Sequence, residues 1–435
     1  MKKLLITAAA LGLTIGFVAT ASATNGYFSH AYSIKSKGMA GAGVAAPLDA
    51  MAPASNPAGL TEVGDRLDVG LSIFNPNREY NVAGDPFTMS DPNDFGLALG
   101  TVESDSEFFF IPNIGWSKQL NDKSAIGIAM YGNGGMNTDY SPNPITGNTF
   151  YDPISDNTGV DLMQLFIAPT YAHKLSEKHS LGITPIIGVQ FFEARGLLAF
   201  SPYSSDPANL TNKGHDTSFG FGARVGYLGK ITDQFNIGLS YQSKIYMDEL
   251  DDYAGLFAEQ GDFDIPANWT IGLAFMPTPT VTLALDVQQI YYSDVNSIAN
   301  SMLATLAPGS LGTDNGPGFG WDDMTIVKLG LQWARTEKWT YRFGYSYGEQ
   351  PISASSANPL DNDIIFNILA PGVIEQHASF GLTYTFANKS ELDFSLTYAL
   401  EKDVTGPNFM DQTDAQIVTL TMNQWEVGIG YSWKF

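Results

Sequence analysis

The chain contains no cysteine, which excludes a disulfide framework, a thiol nucleophile and thiolate metal sites. Cations are scarce as well: 22 Lys and Arg stand against 45 Asp and Glu, for a formal charge of -23. A surface of that sign repels nucleic acid and anionic membrane faces. After Val18 no run of about 18 apolar residues occurs, which excludes ordinary transmembrane helices. The early apolar stretch reads as a signal peptide over residues 1–23, with Lys2 and Lys3 as the charged end, Leu4 to Val18 as the apolar run and Ala21-Ser22-Ala23 as the cleavage site. The mature chain is then expected to begin near Thr24, outside the cytoplasm, and loses two further positive charges.

What is present in quantity is glycine and aromatics. With 435 residues, 44 Gly, 20 Tyr and 27 Phe, the chain is either a large soluble β protein or an outer-membrane barrel. Alternation decides between them. At the C-terminus Trp425, Val427, Ile429, Tyr431, Trp433 and Phe435 alternate with Glu426, Gly428, Gly430, Ser432 and Lys434, a period of two with one apolar face. The same pattern holds for Leu392 to Leu400 and for Trp339 to Tyr347. One face is aromatic and the other carries glycine and charge, as in a barrel with lipid outside and a polar lumen; a soluble sandwich would hide its aromatic face in a core.

Short turns recur at Asn121-Asp122-Lys123, Ser176-Glu177-Lys178, Thr232-Asp233-Gln234, Pro277-Thr278-Pro279, Thr336-Glu337-Lys338 and Asn388-Lys389-Ser390. Their centres lie 45 to 59 residues apart, a hairpin repeat with one long loop per unit. Long connections are centred near Asp91, Ile145, Pro207, Ala258, Pro308, Leu360 and Met410. Six turns and seven loops imply an all-β fold, a 14-stranded antiparallel transmembrane β-barrel over 65–435. The expected strands are 65–80, 106–118, 124–136, 159–174, 180–196, 216–230, 235–249, 264–276, 280–293, 323–335, 339–349, 375–387, 391–402 and 421–435. Many exceed the roughly 9 to 11 residues of one crossing, so the wall is expected to rise into an extracellular vestibule.

Residues 24–64 lack alternation and are rich in small side chains (Gly38, Ala40, Gly41, Ala42, Gly43, Ala45, Ala46), which suits close packing inside something else. They read as an N-terminal hatch plugging the lumen. The run Gly38 to Ala45, Asp49 and Asn56-Pro57-Ala58-Gly59-Leu60 resembles the hatch of the FadL family of outer-membrane transporters for fatty acids and other hydrophobic compounds. Ile111-Pro112-Asn113, Ile265-Pro266-Ala267-Asn268-Trp269, Trp339 to Gly344 and the aromatic C-terminus follow in the same order, so the resemblance spans essentially the mature chain. It implies passive transport of long-chain fatty acids or similar hydrophobic molecules across a Gram-negative outer membrane. Ligand would be captured at the loops, held beside the hatch and released sideways at a kinked third strand. In this sequence the kink corresponds to Gly132-Asn133-Gly134-Gly135; glycines inside a strand mark a bulge or a close approach, or simply the end of the strand. Asn56, Pro57 and Ala58 are expected to sit against that segment as the gate.

Apolar residues stand out in loops that should be polar: Leu197, Leu198 and Phe200 in the third, Leu256 and Phe257 in the fourth, and Ile364, Ile365, Phe366, Ile368 and Leu369 in the sixth. The third and fourth loops are expected to form the outer hydrophobic groove, as the family implies, since exposed apolar patches mark binding surfaces; mutual packing of the loops accounts for them equally. For a ligand carboxylate, Arg195 lies where the family places a head-group arginine, with Lys402 and Lys328 as further candidates; Arg195 is equally suited to pair with Glu193. Asp248, Glu249, Asp251 and Asp252 read as a solvated face. No cofactor and no metal are expected, and the protein is expected to be a monomer contacting outer-membrane lipid and lipopolysaccharide. Among the five histidines (His30, His173, His179, His215, His377) no local nucleophile–base motif occurs, and no phosphate loop or zinc spacing. The alternatives are an outer-membrane lipid-acting enzyme, since triads are spatial, and a surface adhesin or phage receptor.

Overall fold

Residues that alternate between two solvents organise the molecule. The computed structural model describes residues 24–85, 97–141, 157–411 and 416–435; the signal peptide expected over 1–23 and the loop centres near Asp91 and Ile145 lie outside them. The wall consists of β1 (Arg66–Ala83), β2 (Phe109–Gln119), β3 (Ser124–Asn137), β4 (Gly159–Ser176), β5 (His179–Arg195), β6 (Asp216–Thr232) and β7 (Phe235–Gln242). It continues through β8 (Asn268–Thr278), β9 (Val281–Ile290), β10 (Met324–Ala334), β11 (Trp339–Gly348), β12 (Gln376–Thr385), β13 (Glu391–Pro407) and β14 (Ile417–Lys434). Neighbours in sequence pair antiparallel throughout. β14 also pairs β1 along its whole length, from Arg66 opposite Lys434 to Ala83 opposite Ile417, which closes the sheet and removes its edges. Two short pieces lie beside this path: Gly100–Glu103 against β1 and Tyr246–Met247 against β6.

The two faces differ in chemistry as a bilayer requires. On β13, Leu392, Phe394, Leu396, Tyr398 and Leu400 are exposed outward while Asp393, Ser395, Thr397 and Ala399 are buried inward. On β11, Trp339, Phe343, Tyr345 and Tyr347 point out and Arg342 and Ser346 point in. The six short turns join the strand pairs expected of them; in the first, the Asn121 side chain accepts the Lys123 and Ser124 amides at 2.9 and 3.0 Å, an Asx turn.

Most strands end within four residues of the expected bounds, and the two that depart further do so at a bulge. β7 ends at Gln242 instead of 249: its pairing with β6 slips by one residue between Gln242 opposite Arg224 and Tyr246 opposite Phe221. β13 runs on to Pro407 instead of 402, because the register with β14 shifts between Ala399 and Lys402 and pairing then resumes. Extra residues in a ladder reverse the phase of alternation beyond them, so the outer halves of these strands do not continue the pattern of the inner halves.

Residues 24–64 contribute no strand to the wall. They run as short helical pieces, Ile34–Lys37, Ala52–Ala54, Pro57–Gly59 and Leu60–Val63. Ser33 and Ser36 form a capping box on the first, and Asn56 caps the third with Pro57 at its first position, where no N–H is needed. Lumen-facing glycines make the room they occupy: a Cβ at Gly344 would collide with the Met39 and Ala40 backbone, one at Gly182 with Pro57 and Ala58, and one at Gly226 with Asn56.

Candidate functional site

The first feature is an interruption in the wall. The β2–β3 ladder runs from Gln119 opposite Ala125 to Asn113 opposite Tyr131 and stops there. On its other side β3 stays paired with β4, but the register shifts between Gly132 and Gly134, which leaves Asn133 as an extra residue. This is a β-bulge, and it turns the upper part of β3 away from β2. The N-terminal segment takes the vacated place: Ser29 N donates to Asn133 O and Gly135 N donates to Tyr27 O, both at 2.9 Å. Gly134 lacks a Cβ where the Tyr27 and Phe28 backbone passes. The Asn133 side chain turns inward and donates to Gln164 Oε1 at 2.9 Å; Gln164 in turn donates to Gln190 at 2.8 Å.

Asn56, Pro57 and Ala58 occupy a different sector, which corrects the expectation that they face Gly132 to Gly135. Asn56 Nδ2 donates to Val44 O at 2.8 Å and to Tyr227 O on β6 at 2.9 Å, and its Oδ1 accepts Ala58 N at 3.1 Å. The reason is space, because Gly182 and Gly226 admit the turn against β5 and β6. The partner of the glycine segment is therefore Tyr27 to Ser29.

Charge anchors the opposite side of the N-terminal segment. Lys35 Nζ lies 2.5 Å from Glu391 and 3.7 Å from Asp393, and Lys37 pairs with Glu426. Arg66 binds Asp68 at 2.6 Å and Glu391 at 3.2 Å. Asp286 accepts Gly43 N and Val44 N at 2.7 and 3.0 Å. Buried pairs of this kind add little net stability, but removing one partner leaves a charge stranded. The arrangement fixes where the segment sits.

The three cations expected at a ligand carboxylate end in different places. Arg195 is on the outer face, in phase with the exposed Leu181 and Ile183, and pairs with Asp139 at 3.6 Å and Glu193 at 4.0 Å. The pairing with Glu193 weighed for it is the one observed, and period two along an unbulged β5 turns it away from the lumen where Lys328 lies. Lys402 binds Glu375 at 3.0 Å near the top of β13. Lys328 alone of the three lies in the lumen, donating to His30 O at 3.1 Å. It shares a cavity of about 60 Å³ with Arg224, Ser240, Asn268 and the N-terminal segment. Arg224, absent from the sequence reading, donates to Pro53 O at 2.9 Å. Its signal was available, since it is in phase with Gly220, Gly222 and Gly226 on β6.

The apolar loop residues come together. Leu197, Leu256 and Phe257 line one apolar pocket with Phe319, Phe366 and Leu369. Phe200 stacks on Phe366 with centroids 5.3 Å apart, while Leu198 is half-buried nearby. Aromatic contacts lead inward from this pocket: Phe257 to Phe263 at 4.8 Å, Phe263 to Tyr27 at 6.0 Å and Tyr27 to Phe28 at 5.2 Å. Phe28 bridges to Gly134, so the column ends at the bulge. Burial raises the Asp262 carboxyl beside it to about 7, helped by the neighbouring Asp264 and Glu259.

Histidine contacts are structural in form. Ser124 Oγ lies 2.9 Å from His173 Nδ1 at a turn, and His215 contacts Asp161 at 3.0 Å and Glu193 at 3.5 Å on the outer face. Among the described residues no group of three His, Asp or Glu is placed to hold a metal ion.

Comparison with known proteins adds to this geometry. A family model described as outer membrane protein transport protein (OMPP1/FadL/TodX) matches residues 15–435. The long-chain fatty acid transport protein of Escherichia coli K12 is 20% identical over 446 residues, covering 91% of this chain and 92% of that protein. Its Salmonella typhi counterpart is 20% identical over 441 residues, with 91% and 92% covered. Among solved structures, a Pseudomonas aeruginosa FadL homologue matches with a TM-score of 0.69 at 17% identity, covering 94% of this chain and 100% of its own. The Pseudomonas putida toluene transporter TodX matches with a TM-score of 0.67 at 18% identity, covering 93% and 99%.

Proposed function

Since this chain belongs to the OMPP1/FadL/TodX family of outer-membrane transport proteins for hydrophobic compounds, we propose that it carries long-chain fatty acids or similar amphiphiles and releases them sideways between β2 and β3. Residues 24–64 act as a hatch in this reading, with Tyr27 to Ser29 as the part that closes the gap. The observation that carries it is the β2–β3 ladder ending at Tyr131, with the N-terminal segment hydrogen-bonded to the bulged strand in place of β2.

Energetics favour this route. Leaving a methylene in water costs about 0.8 kcal/mol, so a chain of about a dozen would face roughly 10 kcal/mol in an aqueous pore. The aromatic column from Phe257 to Phe28 offers apolar surface from loops to bulge, and the bilayer lies beyond. A ligand that displaces Phe28 exchanges one apolar contact for another, which keeps the step from costing the full transfer energy.

Deleting Asn133 tests the proposal. Without the extra residue β3 keeps one register and continues its ladder with β2, so the wall closes. Uptake of a labelled long-chain fatty acid by cells lacking other such transporters should fall at least about ten-fold, while heat-modifiable migration shows the barrel assembled. Unchanged uptake by an assembled deletion variant would refute lateral release.

A further inference from the structure

We propose that Arg78 recognises a carboxylate head group at the gap between β2 and β3, and so selects carboxylate-bearing chains over plain hydrocarbons. This rests on the lateral release proposed above and adds to it a selecting residue and the chemistry of what is selected.

The position follows from the pairing. β2 pairs β1 only as far as Phe109 opposite Phe74, and β1 is paired again at Glu79 to Val82 by the short Gly100–Glu103 strand. Between these, residues 75–78 of β1 run beside residues 104–107, with Ser104 N donating to Arg78 O and Asn75 Nδ2 to Glu107 O, both at 2.9 Å. Arg78 is in phase with Gly70, Ser72 and Phe74, so its side chain turns inward, where it is 5% exposed. Its guanidinium carbon stands 5.5 Å from the Phe109 ring centroid. It lines a small apolar-walled space with Phe74, Met136, Asn137, Trp321 and Met422, so Met136 and Asn137 of β3 face it from the far side of the gap.

Its partners leave it short. One terminal nitrogen donates to Ser104 Oγ at 3.1 Å and to Ser106 O, while the buried Nε has no acceptor. No carboxylate of the described residues comes within ion-pair distance, in contrast to Arg66, which holds two. Asp139, Asp161 and Glu107 act on it only from beyond that distance; a buried guanidinium without a direct counter-charge is costly, and a carboxylate is its natural complement, because two parallel charge-assisted bonds fit the fork. The low dielectric set by Phe74, Phe109 and Met136 strengthens such bonds. The space is only about 10 Å³, so a head group enters as neighbouring side chains yield.

The test compares an acid with its ester in proteoliposomes holding the full chain. Labelled palmitate and methyl palmitate share a chain and differ in charge. Arg78→Gln keeps a donor for Ser104 Oγ and Ser106 O but removes the cation. Its palmitate affinity should fall about ten-fold, with methyl palmitate changed less than about two-fold. Arg78→Lys, which keeps charge but not the fork, should fall between. A merely structural Arg78 would lower both probes in the same proportion, and that result overturns the assignment, as does an acid affinity that Arg78→Gln leaves unchanged. A wild-type protein that binds neither probe overturns the fatty-acid reading and this assignment with it.

Discussion

Asn56 carries three hydrogen bonds on one amide, to Val44 O, Tyr227 O and Ala58 N. Asn56→Ala strands these buried groups at a cost of about 2 kcal/mol. Hydrogen exchange of the amides in residues 41–60 should then speed up about thirty-fold, with β-strand amides unchanged; equal rates in the two proteins would show the amide to be dispensable. His30 makes the same segment pH-dependent. Burial, with Lys37 and Lys328 nearby, holds its imidazole well below the usual value; His377 stacks on it at 5.2 Å and Glu426 lies 4.0 Å away. Because the released state takes up a proton near pH 6.5 and the docked state does not, docking is at full strength above about 6.5 and weakens as pH falls below it. The exchange protection of residues 24–40 should therefore decline on acidification in wild type and decline less in His30→Gln. At this scale the sequence was partly legible. Residue types such as Asn-Pro announce a turn, but not its partner, since lumen glycines on many strands offer similar room. The pairing of Arg195 with Glu193 was legible from its phase with Leu181 and Ile183; Arg224 shows that a lone cation on a glycine-rich face is the better signal for the lumen.

Strands were the most legible elements, because lipid outside and a polar lumen inside impose period two over ten or more residues. Bulges were not, except where glycine marks one: Asn133 lies among three glycines, whereas the shifts after Gln242 and Ala399 lie among ordinary residues. The bulge in β3 and the segment docked on it are joined by two backbone hydrogen bonds, Ser29 N to Asn133 O and Gly135 N to Tyr27 O. Gly134→Val would place side-chain atoms where the Tyr27 and Phe28 backbone runs, which would push that segment from the strand without altering the β3–β4 ladder. The expected outcome is a gap that stands open. A hydrophobic dye should enter cells about two- to ten-fold faster, with normal barrel assembly, because the gap opens to the bilayer. Unaltered entry would mean that another part of the segment closes the wall.

As a whole the molecule is lopsided. β13, β14 and β1 have 17 or 18 residues, as do β4 to β6, whereas β7 to β12 have 8 to 11. At about 3.3 Å per residue the tall side reaches roughly 55–60 Å along the strand and the short side less than about 40 Å. Apolar loop residues cover the low side: Tyr253, Leu256, Phe257, Phe263, Ile298, Met302, Phe366 and Leu369 belong to one buried cluster. Their shared burial explains why loops of a surface protein carry so much apolar character. It also makes the cap a unit whose stability is separable from that of the wall, since hydrogen-bonded ladders do not pass through it. Phe257 touches Phe192 at 4.7 Å and Phe263 at 4.8 Å, joining strand, cap and the column that leads to Tyr27. Phe257→Ala should cost the cap about 3–4 kcal/mol. Exchange should quicken in residues 250–267 and 291–320 while strand amides keep their protection. Fatty-acid affinity should weaken with it if capture begins in this cluster. Faster exchange with unchanged affinity would assign the cluster to packing alone and move the entry site elsewhere on the rim.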